Sequence, residues 1–289
     1  MLIAVYAAPV EEPPVEEPGN GPRPQAILLT FFGGYLLGRG VHVAMSSLIE
    51  VLGRVGVSEE ATRSTVSRMA RRDQLHRVRR GRQVYVGLTP RSRAILRDGD
   101  LRVWRTDVVD RHWDGTWTLL SFSLPDSWQR QRHALRARLL WAGFGPLQGG
   151  LWVSPATVDA REVCAGLEAA AHVRAFTARA LDPTDVDDMV RDAWDLDALA
   201  ARYRAFTARW EGARPALPDP LAAQIVLQVE WLEVIRADPR LPAAHLPPDW
   251  PAAPAQRLFR ELYAELDPAA RRIATDVLDV IPDEEAVLG

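Results

Sequence analysis

Arginine side chains and the pattern of an amphipathic helix coincide between Ser58 and Leu75. At 100° per residue, one side of this segment is mainly apolar and consists of Thr62, Val66, Met69 and Ala70. The opposite arc consists of Arg63, Ser64, Ser67, Arg68 and Arg71. Guanidinium groups suit bidentate contacts with phosphate and guanine, so this arc is a candidate nucleic-acid surface. A solvated, charged helix face is the alternative.

Position along this helix suggests different contacts for different side chains. The candidates for contact with base edges are Arg63 and Arg68, with Ser64 and Ser67 beside them. Arg71 and Arg72 come later on the helix, and we expect them to reach phosphate groups.

The next segment, LHRVRRGRQVYVGLT, has the pattern of a short β-hairpin. Its central RRGR, around Gly81, is a turn signal between two runs with regularly placed apolar residues. The arginines at the predicted tip are Arg79, Arg80 and Arg82. We expect them to contact the DNA backbone or the minor groove, and a mobile, solvated loop is the alternative.

Two apolar segments of helix length, Ala26–Leu37 and Met45–Val55, precede these elements. Ser58 is placed to cap the third helix, with Glu59 in its first turn. Three short helices followed by an arginine-tipped hairpin predict a winged helix-turn-helix domain over residues 25–90. The third helix would then enter the major groove of double-stranded DNA.

Charge is distributed unevenly along the chain, although the net charge is only −3. Residues 23–105 carry a net charge of +10, whereas residues 106–289 carry −9. A basic N-terminal region joined to an acidic remainder indicates a polyanionic partner for the first region alone.

The rest of the chain predicts further regions of an α+β multidomain protein. Residues 1–24 are acidic and rich in proline, and we expect a disordered tail or a misplaced start codon. Residues 91–112 are predicted to be a linker. Strands and helices in the order β-α-β-α-β predict a ferredoxin-like α/β domain over residues 113–183, and residues 184–289 are predicted to be a helical domain.

Several classes of site have no support in the sequence. The single cysteine, Cys164, excludes an internal disulfide and a cysteine-rich zinc site, and the six histidines are far apart in sequence. HExxH, GxSxG and P-loop motifs are absent. We therefore predict no catalytic residue, no metal and no cofactor. No apolar run is long enough to cross a membrane, and we expect a cytoplasmic protein.

Several motifs together resemble the PaaX family of transcriptional repressors. The segments LLTFFGGYLLGRG, ATRSTVSRM and RRGRQVYVGLT match its N-terminal winged domain. The segments HWDGTWTLLSF and LRARLLWAGFGPLQGGLWVSP resemble its central domain, which is similar in fold to Cas2 proteins. The segment IRADPRLPAAHLPPDWP resembles the signature of its C-terminal helical domain.

The resemblance implies a homodimeric DNA-binding repressor that a small-molecule effector releases from DNA. In the founding regulators of the family this effector is an aryl-acetyl coenzyme A thioester. Dimerisation would give a pseudo-palindromic operator. For the effector we consider an aromatic pocket that includes Trp141, with Arg132 and Arg136 facing the phosphates of coenzyme A. Packing in the core is the default role for most of the ten tryptophans.

Two other functions stay open at this point. Asp126 follows the first strand of the central domain, where Cas2-type nucleases carry a metal-binding acid. A Cas2-like nuclease would need a second carboxylate and Mg²⁺ beside it, and a lone Asp in a turn is more simply a helix cap or a turn residue. The other function is a protein-interaction module with a non-functional DNA-binding head.

Overall fold

The protein is described from a computed structural model that covers residues 23–105, 107–212, 214–236 and 238–283. Most of the predicted acidic tail, residues 1–22, lies outside the described residues. The described chain forms two compact units. We call residues 23–105, 208–232 and 257–283 the head, and residues 107–207 and 233–256 the body.

The head begins with helices and strands in alternation. Its first part consists of α1 (Pro24–Phe31), a π-helical turn (Phe32–Leu36), β1 (Val41–Ala44), α2 (Met45–Arg54), α3 (Glu59–Arg71), β2 (Leu75–Arg80), β3 (Gln83–Leu88) and α4 (Pro90–Arg105). The apolar segments predicted to be helical therefore form α1 with its π-helical turn, and α2. The segment Pro90–Arg105 is a helix whose Leu96 and Val103 are buried.

Four antiparallel strands form the sheet of the head in the order β2-β3-β1-β8. Strand β8 (Val280–Pro282) comes from the end of the described chain and pairs with β1. The prediction of a helical domain over residues 184–289 is wrong at this strand. A run of three residues is too short to show the two-residue alternation that would identify a strand in the sequence.

The core of the head lies between one face of this sheet and the surrounding helices. Val43 and Val86 of the sheet belong to the same buried cluster as Leu48 of α2 and Val66 of α3. Further members of that cluster come from α9 (Pro220–Arg236) and α10 (Ala252–Val277), for example Ile225. Segments distant in sequence thus support the helices that carry the basic surface.

The body contains a second sheet of four antiparallel strands. Its elements are β4 (Trp117–Phe122), α5 (Gln129–Trp141), β5 (Gly145–Pro146), β6 (Leu151–Ser154), α6 (Ala160–Cys164), β7 (Val173–Ala178), α7 (Val186–Ala193) and α8 (Leu196–Trp210). The strand order is β5-β6-β4-β7. Leu120 of β4 packs with Leu135 and Leu139 of α5 in a buried cluster. No helix among the described residues is long and apolar enough to cross a membrane.

Candidate nucleic-acid interface

Local capping and burial fix the orientation of α3. The backbone N–H of Ala61 donates to Ser58 Oγ at 3.2 Å, and this bond satisfies one of the open donors of the first turn. Thr62, Val66 and Met69 are buried, as the helical pattern predicted. Because this side of the helix is held against the core of the head, the arginine-bearing arc faces away from that core.

The outward arc of α3 has a graded exposure. Arg63, Ser64, Arg71 and Arg72 are exposed, whereas Ser67 and Arg68 are partly buried. Arg63 Nε donates to Glu59 Oε1 at 2.8 Å, and both side chains are more than half exposed. An exposed pair of this kind stabilises a helix by only about 0.3–0.5 kcal/mol, so Arg63 can exchange Glu59 for phosphate or a base at little cost. Arg68 Nη2 donates to Thr65 Oγ1 at 3.3 Å.

The hairpin that follows is a regular two-stranded ribbon with a tight turn. Its register runs from the pair Leu75↔Leu88 to the pair Arg80↔Gln83, which leaves Gly81 and Arg82 as the two turn residues. Gly81 has φ of 60°, a conformation that glycine adopts at no steric cost. Leu75 and Leu88, at the base of the ribbon, belong to the core of the head.

The predicted tip arginines are all exposed at the far end of this ribbon. They are Arg79, Arg80 and Arg82. Arg79 Nε also donates to the carbonyl oxygen of Gly81 at 3.3 Å. A guanidinium side chain keeps its charge at every relevant pH, so the hairpin presents a permanently cationic end.

The three residues predicted to bind an effector lie on or at the end of α5. Arg132 and Arg136 are one helical turn apart and share a face, while Trp141 lies about 140° further round the helix. Arg132 Nη2 donates to the carbonyl oxygen of Leu124 at 3.0 Å, so it also braces the loop before the helix. Arg136 is exposed.

The tryptophans of the body divide between core and surface. Trp117 and Trp152 are buried, in agreement with the default role given to them. Trp141 is 53% exposed, and the guanidinium carbon of Arg236 lies 5.7 Å from its ring centroid. This distance is typical of a cation–π contact.

Asp126 lies on the surface, in the turn before α5. Its side chain is fully exposed, and Arg132 Nη2 lies 3.9 Å from its Oδ1. Its backbone oxygen accepts a hydrogen bond from Gln129 Nε2 at 3.0 Å. Within the described residues, Asp126 belongs to no group of three metal-ligand side chains.

Strand pairing brings together three side chains that the sequence analysis did not connect. They are His42, His76 and Asp283, whose ligand atoms all lie within 4.8 Å of one another. His42 and His76 are far apart in sequence, yet the fold brings them into contact. Their proximity depends on pairing between β1, β2 and β3, which sequence distance does not report.

Together these features define an α+β multidomain protein with an arginine-faced helix and hairpin in its head. Comparison with family models matches the chain in three successive parts. Residues 23–92 match the PaaX-like protein model, residues 110–190 the PaaX protein central Cas2-like domain, and residues 194–276 the PaaX-like protein C-terminal domain. The chain therefore belongs to the PaaX family.

Two individual proteins are similar over most of the chain. One is the transcriptional repressor PaaX of Escherichia coli (strain K12), which is 26% identical over 260 residues, covering 85% of this chain and 81% of that protein. The other is a solved structure, the uncharacterized protein Rv0674 from Mycobacterium tuberculosis. It has a TM-score of 0.60 and 24% identity, and the match covers 88% of this chain and 99% of that one. At this identity the second similarity concerns the fold alone.

Proposed function

We propose that the chain is a sequence-specific DNA-binding transcriptional repressor. The observation that carries the proposal is the arginine-bearing arc of α3, turned away from the core of a head whose residues 23–105 have a net charge of +10. The family relationship supports it, because the similar protein of Escherichia coli is a transcriptional repressor. Because this relative is a transcriptional regulator, the relationship does not favour the nuclease alternative. The order α1, α2, α3 and then the hairpin β2–β3 supports a winged helix-turn-helix domain over residues 25–90.

In this proposal each arginine group has a distinct contact. Arg63 and Arg68 read base edges in the major groove, with Ser64 and Ser67 beside them. The phosphate contacts come from Arg71 and Arg72, and the contacts of the hairpin tip with backbone or minor groove come from Arg79, Arg80 and Arg82. Affinity would therefore fall steeply as salt is added, because each neutralised phosphate releases counterions.

The body serves as the assembly and sensing part in this proposal. The strand order β5-β6-β4-β7, with α5 and α6 as crossovers, supports a ferredoxin-like domain over residues 113–183. A homodimer in the cytoplasm would present two heads to a pseudo-palindromic operator. An aryl-acetyl coenzyme A thioester would release the DNA only if it prefers the non-binding arrangement of these heads.

The central test is DNA binding by the purified protein to its own promoter region, measured by fluorescence anisotropy over a salt series. The double variant Arg63→Ala/Arg68→Ala should bind at least about 30-fold more weakly, because each lost bidentate base contact costs about 1–3 kcal/mol. Arg202→Ala/Arg204→Ala is the matched control, since both side chains are exposed on α8 of the body and the charge change is the same. Equal affinities for the two double variants would refute the proposed reading face.

Two further measurements separate the alternatives. DNA that is cleaved only when Mg²⁺ is added would support the nuclease and contradict the repressor. For the effector site, Arg132→Ala/Arg136→Ala should need a higher concentration of aryl-acetyl coenzyme A to release DNA than the parent. Release at the same concentration would overturn the assignment of these two arginines.

A further inference from the structure

We propose that His42, His76 and Asp283 form a binding site for a divalent transition-metal ion of the Zn²⁺ class in the head. Two imidazoles and one carboxylate form a common ligand set for such ions in proteins. Their ligand atoms all lie within 4.8 Å of one another. The proposed metal site is independent of the proposed DNA-binding function, because metal binding can be measured on the protein without DNA.

The register of the sheet explains why the two imidazoles meet. His76 of β2 lies opposite Gly87 of β3. On the other side of β3, the pair Val43↔Val86 places His42 of β1 opposite the same glycine. The two histidines thus flank one position on the same face of the sheet. Because Gly87 has no side chain, the His42 ring can extend over β3, and its Nε2 atom contacts Nε2 of His76.

The third ligand comes from the end of β8. β8 pairs with β1 through His42↔Ile281, and the backbone N–H of Asp283 donates to the carbonyl oxygen of Gly40 at 2.8 Å. Asp283 is two residues beyond Ile281, so its side chain lies on the same face of the sheet as His42. Its Oδ2 accepts from Arg93 Nη2 at 2.8 Å, an interaction of the kind that orients a ligand carboxylate.

The surroundings fit a bound ion of this size. A Zn²⁺ ion about 2.0–2.1 Å from each donor holds tetrahedral ligands roughly 3.3 Å apart, so binding would move the contacting Nε2 atoms of His42 and His76 apart within a group that already spans no more than 4.8 Å. His42 and Asp283 are each only 3% exposed, so the two side chains are held in place. Asp283 also lines a cavity of about 230 Å³ beside Gly40 and Arg93.

A bound ion would tie three separate parts of the chain together. Strand β2 is the first strand of the arginine-tipped hairpin, β1 leads into α2, and β8 follows α10. An ion at this point would therefore hold the base of the hairpin against the C-terminal strand. Metal occupancy would stabilise the head, because an ion that binds only the folded state shifts the equilibrium towards it.

The test is a Co²⁺ and Zn²⁺ titration of the full chain after treatment with a chelator. We expect one ion per chain, a visible Co²⁺ absorption band of a nitrogen- and oxygen-coordinated site, and displacement of this band by Zn²⁺. His76→Ala should weaken binding at least about tenfold, since even the partners that orient metal ligands matter by about 10–100-fold. His133→Ala is the matched control, because His133 is exposed on α5 and should leave binding unchanged.

A second variant separates metal binding from folding. His76→Gln keeps a polar side chain at a partly buried position and should retain the circular dichroism spectrum of the parent. Its melting temperature should not respond to added Zn²⁺, whereas that of the parent should rise. The proposal is overturned if the parent gives no Co²⁺ band, or if His76→Ala binds Zn²⁺ as tightly as His133→Ala.

Discussion

Alanine at Gly87 should destabilise the head because the new methyl group has no room. A Cβ atom built at this position would lie 2.5 Å from His42 Cδ2 and 2.8 Å from His42 Nε2. Carbon atoms are at their optimal separation at about 3.5–4.0 Å, so the imidazole must move by roughly 1 Å. His42 is 3% exposed and cannot swing into solvent. Overpacking of this kind costs about 1–3 kcal/mol in the free energy of unfolding.

The same chemical change elsewhere in the head should have the opposite sign. Gly53 lies in the last turn of α2, is exposed, and an added Cβ there would meet no atom within 4 Å beyond its chain neighbours and its own helix backbone. Alanine is favoured over glycine in a helix interior by about 0.5–1 kcal/mol, and the gain should be smaller in the last turn. Gly53→Ala should therefore stabilise the head slightly, while Gly87→Ala destabilises it.

The comparison is made by urea unfolding of the full chain, with hydrogen exchange of peptides from β1 and β3 to report on the head. Gly87→Ala should lower the unfolding midpoint and speed exchange in both strands. A double-mutant cycle with His42→Ala identifies the cause, because removing the ring should relieve much of the penalty at Gly87. Unfolding of Gly87→Ala at or above the parent's midpoint, or strictly additive effects in the cycle, would refute the steric reasoning.

Three further predictions concern single side chains. Ser58→Ala removes the acceptor for the N–H of Ala61 and should cost about 1 kcal/mol, measured by urea unfolding. Burial raises the pKa of Asp238, so the folded chain binds its proton more tightly than the unfolded chain. The free energy of unfolding should therefore decrease as pH rises from the ordinary carboxyl pKa through the raised one. Asp238→Asn should make this decrease smaller when urea unfolding is measured at a series of pH values. Burial also raises the pKa of the Cys164 thiol, so a thiol reagent should modify it slowly in the native chain and rapidly in urea, and fast native modification would contradict its burial.

Features that depend on local periodicity could be predicted from the sequence. The arginine-bearing arc of α3 was predictable from the helical rotation of 100° per residue. The turn at Gly81 was predictable from the RRGR motif between two short strands. Ser58 caps α3 as expected, since an N-cap depends only on the next three residues. Each of these features is decided within one or two helical turns of chain, where propensity and pattern carry most of the information.

Features that depend on which strands become neighbours could not be predicted in this way. Strand β8 is only three residues long, and its partner β1 lies more than 200 residues earlier. The meeting of His42 and His76 needs both registers of β3, and a slip of one residue in either would turn one ring to the other face of the sheet. Gly87 has no side chain, and in the sheet the imidazole of His42 lies over it. Gly87→Ala therefore tests the register between β1 and β3 with one methyl group, because only that register places His42 over Gly87.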